Sequence, residues 1–158
     1  MANLPSWISV DHVVGAEWVV ENIVYLDSSE SGGRVNIYVT TIDGNGAPVS
    51  GIGVFQDWKD DRVKQYTMGG QTDFPQSGDS SFDPNRGEVG PYGVYVDGSS
   101  EQVWGMGLPL KQHVVYQITF RKGGTPPPPP GDYVTVEQAQ AMIDKSINAA
   151  FERGKVVA

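Results

Sequence analysis

The stretch HVVYQITFR, residues 113–121, decides the fold class of this chain. Large apolar residues alternate with smaller or polar ones, so Val114, Tyr116, Ile118 and Phe120 share one face of an extended backbone. The opposite face carries His113, Val115, Gln117, Thr119 and Arg121. This period of two is typical of a strand that buries one side, and it predicts a β-rich domain.

Similar segments precede this strand and support the same fold class. Further strands are predicted at residues 17–26, 34–41, 49–55, 62–68, 92–96 and 102–110. Asp-Gly and Asn-Gly in residues 43–48 supply the positive φ values that a hairpin turn needs. Residues 69–91 show no periodicity and are predicted to form one long loop. About seven short strands separated by turns predict an Ig-like or prealbumin-like antiparallel β-sandwich.

Five prolines, Pro126–Pro130, divide the chain into parts of different periodicity. A proline run favours the extended polyproline II conformation and forms a semi-rigid spacer of about 3.1 Å per residue. The sequence therefore predicts four segments. They are an N-terminal arm (1–16), a β-sandwich (17–124), a proline-rich linker (125–132) and a C-terminal amphipathic helix (133–158).

The predicted helix carries an apolar stripe that needs a partner. Thr135 can cap its N-terminus, and Gln138 completes a capping box. The stripe consists of Val136, Ala139, Ile143, Ile147, Ala150 and Phe151. Because an isolated helix of about 18 residues is marginal in water, the stripe would pack on its own copies, in a groove of another protein, or back on the sandwich.

Composition excludes several classes of partner and site. The chain has 158 residues, a net charge of −8 and no basic stripe, which argues against binding to nucleic acid or an anionic membrane. It has no cysteine, so disulfides and thiolate metal sites are excluded. It shows no signal peptide and no apolar run of membrane-spanning length. We therefore expect a soluble protein made in a cytoplasm, which reaches a virion or an extracellular surface after lysis.

No pattern of catalytic residues is evident, and we predict that the chain is not an enzyme. His12 and His113 have no spaced second histidine for a zinc site. Asp57, Asp60 and Asp61 suggest a glycosidase pair, but clustered acids beside a turn are more often a solvated corner, and a small sandwich rarely offers the deep cleft required.

Two groups of residues are candidates for ligand binding. Aromatic side chains near turns can stack on sugar rings, although they also fill sandwich cores; the candidates are Trp58, Trp104, Tyr66 and Tyr95. Asp73, Asp79 and Asp83 in the long predicted loop could supply oxygen ligands to a structural calcium ion, without matching an EF-hand. No other cofactor is predicted.

Parts of the sequence are similar to known sandwich families. Residues 43–51 and 90–96 resemble the strand–turn–strand signature and the later Gly-x-Tyr-x-Val-x-Val strand of transthyretin-like, carboxypeptidase-regulatory-like and Cna-B-like domains. Residues 31–39, with shorter stretches at 97–98, 105–108 and 118–120, resemble an accessory domain of bacterial and phage-derived cell-wall hydrolases. The resemblance implies a spacer, an adhesive stalk or a binding module. It carries over no catalytic residues and no isopeptide-forming Lys–Asn pair.

These observations predict a non-enzymatic accessory surface module. In the leading hypothesis it is a structural or decoration-type protein of a phage particle. Its C-terminal helix docks on a protein partner or self-associates, and the sandwich faces outward. In the alternative, the chain is a module that binds cell-wall glycan through Trp58 or Trp104.

Overall fold

Residues 4–123 are described by a computed structural model, and they form eleven strands and two 3-10 turns. In chain order the strands are β1 (Ser9–Asp11), β2 (Trp18–Leu26), β3 (Asn36–Ile42), β4 (Gly53–Trp58), β5 (Asp61–Tyr66), β6 (Gln71–Pro75), β7 (Ser81–Phe82), β8 (Tyr92–Val96), β9 (Gln102–Met106), β10 (Leu108–Pro109) and β11 (Val115–Lys122). The 3-10 turns, Gly78–Ser80 and Pro84–Arg86, flank β7. The prediction of a mainly β fold is therefore confirmed.

The strand with the clearest alternation, β11, is an inner strand of a four-stranded sheet ordered β2-β11-β3-β6. It pairs antiparallel with β2 and parallel with β3, while β3 pairs antiparallel with β6. Tyr116, Ile118 and Phe120 are all buried. The core face predicted for this strand is thus confirmed.

The other large sheet is antiparallel and has five strands in the order β1-β9-β8-β4-β5. Val54, Val94 and Val103 on its inner strands are completely buried. Because side chains alternate along a strand, the residue that follows each valine points to the opposite face. Those residues are Phe55, Tyr95 and Trp104, and each is only half-buried.

One hydrophobic core joins the two larger sheets. The four-stranded sheet contributes residues such as Ile37 and Phe120, and the five-stranded sheet contributes residues such as Val94 and Met106. Because this core is formed by one face of each sheet, the opposite face of each sheet is accessible to solvent or to ligands. The outward face of the five-stranded sheet therefore becomes a candidate binding surface.

The structure corrects several predicted boundaries. The predicted arm contains β1, and the predicted loop at residues 69–91 contains β6, β7 and both 3-10 turns, so the prediction of one long loop was wrong. These elements were missed because Phe74 and Phe82 are the only buried apolar side chains within β6 and β7. The strand predicted at 49–55 instead spans Gly53–Trp58, and the one predicted at 102–110 is interrupted at Gly107.

The predicted linker and C-terminal helix, residues 125–158, lie outside the described residues. They stay predictions. Among residues 4–123, no helix is both long enough and apolar enough to cross a membrane.

Candidate functional site

The outward face of the five-stranded sheet, which we call the outer face, combines aromatic and charged side chains. Cross-strand pairing places Phe55 beside Tyr95 and Lys64, and Asp57 beside Gly93 and Arg62. The residues of the outer face used below are Phe55, Asp57, Arg62, Lys64, Tyr66, Gly93, Tyr95, Gln102 and Trp104. They come from four neighbouring strands, so the sheet register brings them together.

Trp104 lies against the sheet over Gly93, its partner on the neighbouring strand. A β-carbon added to Gly93 would overlap with the six-membered ring of the indole, so only glycine leaves space for the ring in this position. The indole Nε1 donates a hydrogen bond to Gln102 Oε1 at 2.9 Å. The side chain is only half-buried. The indole is therefore seated on the backbone of Gly93, and part of it remains exposed to solvent.

Asp57 lies at the centre of a polar network. Arg62 donates from Nε to Asp57 Oδ1 at 2.8 Å and from a terminal nitrogen to Oδ2 at 3.3 Å. The Tyr95 hydroxyl is 3.0 Å from Asp57 Oδ2. Burial, followed by the hydrogen bond to Asp57, raises the pKa of the Tyr95 hydroxyl above its ordinary value. The Asp57 carboxylate thus has a partner on each oxygen.

Two cations cover Phe55. The Arg62 guanidinium lies 5.2 Å from the Phe55 ring centroid, and the Lys64 Nζ also lies 5.2 Å from it. Lys64 donates to Asp97 Oδ2 at 2.8 Å, and this contact raises the pKa of the Lys64 ammonium. Phe55 also packs on Tyr95, with ring centroids 5.4 Å apart. Each cation is therefore held both by an aromatic ring and by a carboxylate.

The structure brings three of the four predicted aromatic residues to the outer face and separates the fourth. Tyr66, Tyr95 and Trp104 share this face, and Tyr66 is 59% exposed. Trp58 lies on the opposite side of β4, packs against the core and approaches Tyr92 with ring centroids 5.5 Å apart. The two tryptophans therefore do not form one platform.

Asp57, Asp60 and Asp61, the acidic residues at the β4–β5 hairpin, line one open depression together with Lys59 and Arg62. Asp57 faces outward beside Arg62, whereas Asp61 pairs with the inward-facing Trp58. Since adjacent positions of a hairpin face alternate sides, Asp57 and Asp61 reach this depression from different faces of the hairpin, and Asp57 is already paired with Arg62 at 2.8 Å.

The three predicted calcium ligands, Asp73, Asp79 and Asp83, lie in different local structures. Asp73 accepts a hydrogen bond from Asn36 Nδ2 at 2.7 Å, and Asp83 accepts one from the Asn85 backbone N–H at 2.9 Å. Asp79 lies in the first turn of a 3-10 element capped by Ser77. Within residues 4–123, no group of three or more His, Asp or Glu side chains could hold a metal ion. The three aspartates are thus not assembled into a metal site.

Sequence reasoning missed Phe55, Arg62, Lys64, Gln102 and the seat at Gly93. The alternation of residues 53–58 could have placed Phe55 and Asp57 on one face. The contact between Gly93 and Trp104 depends on the register between β8 and β9, which no local pattern contains. Comparison with protein-family models and with curated proteins gives no match.

Proposed function

We propose that the chain is a non-catalytic glycan-binding module that uses the outer face. The observation that supports this proposal best is the indole of Trp104, which is seated over Gly93 and remains partly exposed. The apolar C–H face of a sugar ring packs favourably on such a π surface. A seated ring loses little conformational freedom on binding, which lowers the entropic cost of complex formation.

Polar groups around the indole suit sugar hydroxyl groups. Gln102 accepts from the indole through Oε1, which leaves its Nε2 as a donor. Ser9 is the cross-strand partner of Trp104 on β1 and is exposed. A stacking ring with a polar border is the arrangement that fixes a sugar ring in one orientation.

We also propose that the two larger sheets form an Ig-like or prealbumin-like sandwich. Their shared hydrophobic core supports this architecture. It would present the outer face as a flat surface at one side of the domain.

The proposal is tested by retention of the protein on insoluble chitin, cellulose and peptidoglycan. Trp104→Ala should weaken retention at least about tenfold, equivalent to about 1.4 kcal/mol. Tyr38→Ala, on the outward face of the other sheet, is the matched control and should bind as the original chain does. If the original chain is not retained on any of these glycans, the proposed function is wrong. It is also wrong if Trp104→Ala and Tyr38→Ala are retained equally well.

Gly93→Ala provides an independent test of the packing of the Trp104 indole on Gly93. The φ of Gly93 is not in the left-handed region, so alanine is compatible with the backbone. The added methyl would displace the indole at a cost of about 1–3 kcal/mol of overpacking and should reduce glycan retention. Gly78→Ala, where a β-carbon meets nothing within 4 Å, is the control. Unchanged retention with Gly93→Ala would contradict a role for the seated indole.

A second proposal concerns attachment. The five prolines and the apolar stripe at residues 136–151 support a C-terminal segment that docks on a partner or self-associates, as in a decoration protein of a particle. In this role the C-terminal segment would attach the chain to the carrier surface, and the folded domain would bind glycan.

A further inference from the structure

We infer that the ligand of the outer face is an uncharged, extended glycan chain, which crosses the sheet diagonally from Trp104 to Tyr66. This inference rests on the proposed function and narrows its ligand class. Two features of the outer face support it in addition to the seated indole of Trp104. They are the diagonal order of its aromatic rings and the pairing of its charges.

The register of four strands places the aromatic rings on one diagonal. Trp104 on β9 lies beside Gly93 of β8. Two residues further along β8, Tyr95 lies beside Phe55 of β4. Two residues further again, Gly53 of β4 lies beside Tyr66 of β5.

The diagonal is long enough for more than one sugar ring. Three strand separations of about 4.8 Å and four residue steps of about 3.3 Å place its ends about 20 Å apart. Tyr66 at the far end is 59% exposed. A single sugar on Trp104 would not reach Tyr66, whereas an oligosaccharide lying flat on the sheet would contact both.

The charges between the two ends favour a ligand without charge. Arg62 is paired with Asp57, and Lys64 is paired with Asp97 at 2.8 Å. The diagonal therefore carries two balanced ion pairs and no cation without a carboxylate. Asp11, exposed on β1 beside Gln102, adds a negative charge near the Trp104 end. A polyanion would compete with Asp57 and Asp97 for Arg62 and Lys64, whereas uncharged hydroxyl groups can accept from the remaining N–H groups of these cations and leave both pairs intact.

Chain length provides the first test, with N-acetylglucosamine oligomers as probes in titration calorimetry. The hexasaccharide should bind about tenfold more tightly than the disaccharide. Tyr66→Ala should remove about three- to tenfold of that gain, the range expected for one aromatic contact, and leave disaccharide affinity unchanged. Met68→Ala, 83% exposed and close in sequence but off the diagonal, should change neither affinity.

The remaining outcomes separate this inference from the proposed function. Disaccharide and hexasaccharide binding of equal strength, or uronic-acid oligomers binding as tightly as neutral ones, would overturn the extended, uncharged ligand while preserving glycan binding. Absence of binding to every oligomer would overturn both. A lower solution mass for Trp104→Ala than for the original chain would identify a second copy as the occupant of the face, and would also overturn the inference.

Discussion

The Tyr116 hydroxyl joins the N-terminal arm to the core. It accepts a hydrogen bond from Trp7 Nε1 at 3.0 Å and donates one to the Gly107 carbonyl at 2.9 Å. The side chain is completely buried. Burial raises the pKa of the Tyr116 hydroxyl well above its ordinary value of 10.0, because the charged phenolate would lose its hydration. This one group therefore couples the stability of the fold to alkaline pH.

We expect the free energy of unfolding to fall above about pH 10. In the unfolded chain Tyr116 loses its proton near pH 10, whereas in the folded chain it keeps the proton to higher pH. The unfolded state then binds fewer protons, so stability is fully present below pH 10 and decreases as pH rises, by up to about 1.4 kcal/mol per pH unit. Urea unfolding between pH 8 and pH 11 measures this slope.

Tyr116→Phe should lower stability at neutral pH by about 1–3 kcal/mol, because the Gly107 carbonyl loses its donor, and should also flatten the alkaline slope. Part of the slope should remain, since burial also raises the pKa of Tyr25 and Tyr95. Tyr66→Phe, at an exposed position, serves as the control. An alkaline slope in Tyr116→Phe as steep as in the original chain would contradict the assignment.

The N-terminal arm is an integral element of the fold. Its strand β1 pairs with β9, and Leu4, Ile8 and Val10 pack against the core. Trp7 makes edge contacts with Tyr25 and Phe82, with ring centroids 5.6 and 5.5 Å apart. The arm therefore contributes to packing rather than extending from the domain.

Trp7→Ala should destabilise the described domain by about 2–4 kcal/mol, a value near the lower end for a large buried aromatic because Trp7 is only half-buried. The loss arises from both aromatic contacts and from the hydrogen bond to Tyr116. Urea unfolding at pH 7 measures it, with Val14→Ala as the control because Val14 is fully exposed. A change below about 0.5 kcal/mol for Trp7→Ala would show that the arm does not stabilise the domain.

Sequence patterns could predict most of the longer strands but not the short or sparsely buried ones. β8 and β11 alternate clearly because one face of each is buried in the core. β1 has only three residues, and β6 buries only Phe74, so neither gives a period to detect. The predicted strand at 49–55 stops short of Trp58, which is surrounded by the acidic residues Asp57, Asp60 and Asp61. Hydrogen bonds from Arg62 and Tyr95 stabilise the Asp57 carboxylate within β4, and Tyr95 is remote from Asp57 in the sequence.

At the scale of the whole molecule, the mainly β class could be predicted because it depends on many short patterns that agree. The candidate site could be predicted only in part. Positions near turns identified Trp104, Tyr66 and Tyr95 but not Phe55, and the diagonal from Trp104 to Tyr66 depends on the registers of three strand pairs. Register is set by bulges and by packing of the assembled sheets, and the sequence of one strand does not contain it.

The predicted division of the chain at the proline run leads to a test of assembly. A chain ending at Thr125 contains every described residue, so it should unfold in urea with the same midpoint as the full chain. The full chain should have a larger mass in light scattering than one copy, because the apolar stripe needs a partner. Ile143→Asp in the full chain should lower that mass to one copy, whereas Asn148→Ala, off the stripe, should leave it unchanged. If the full chain is monomeric and the chain ending at Thr125 still attaches to the carrier surface, attachment uses the folded domain instead.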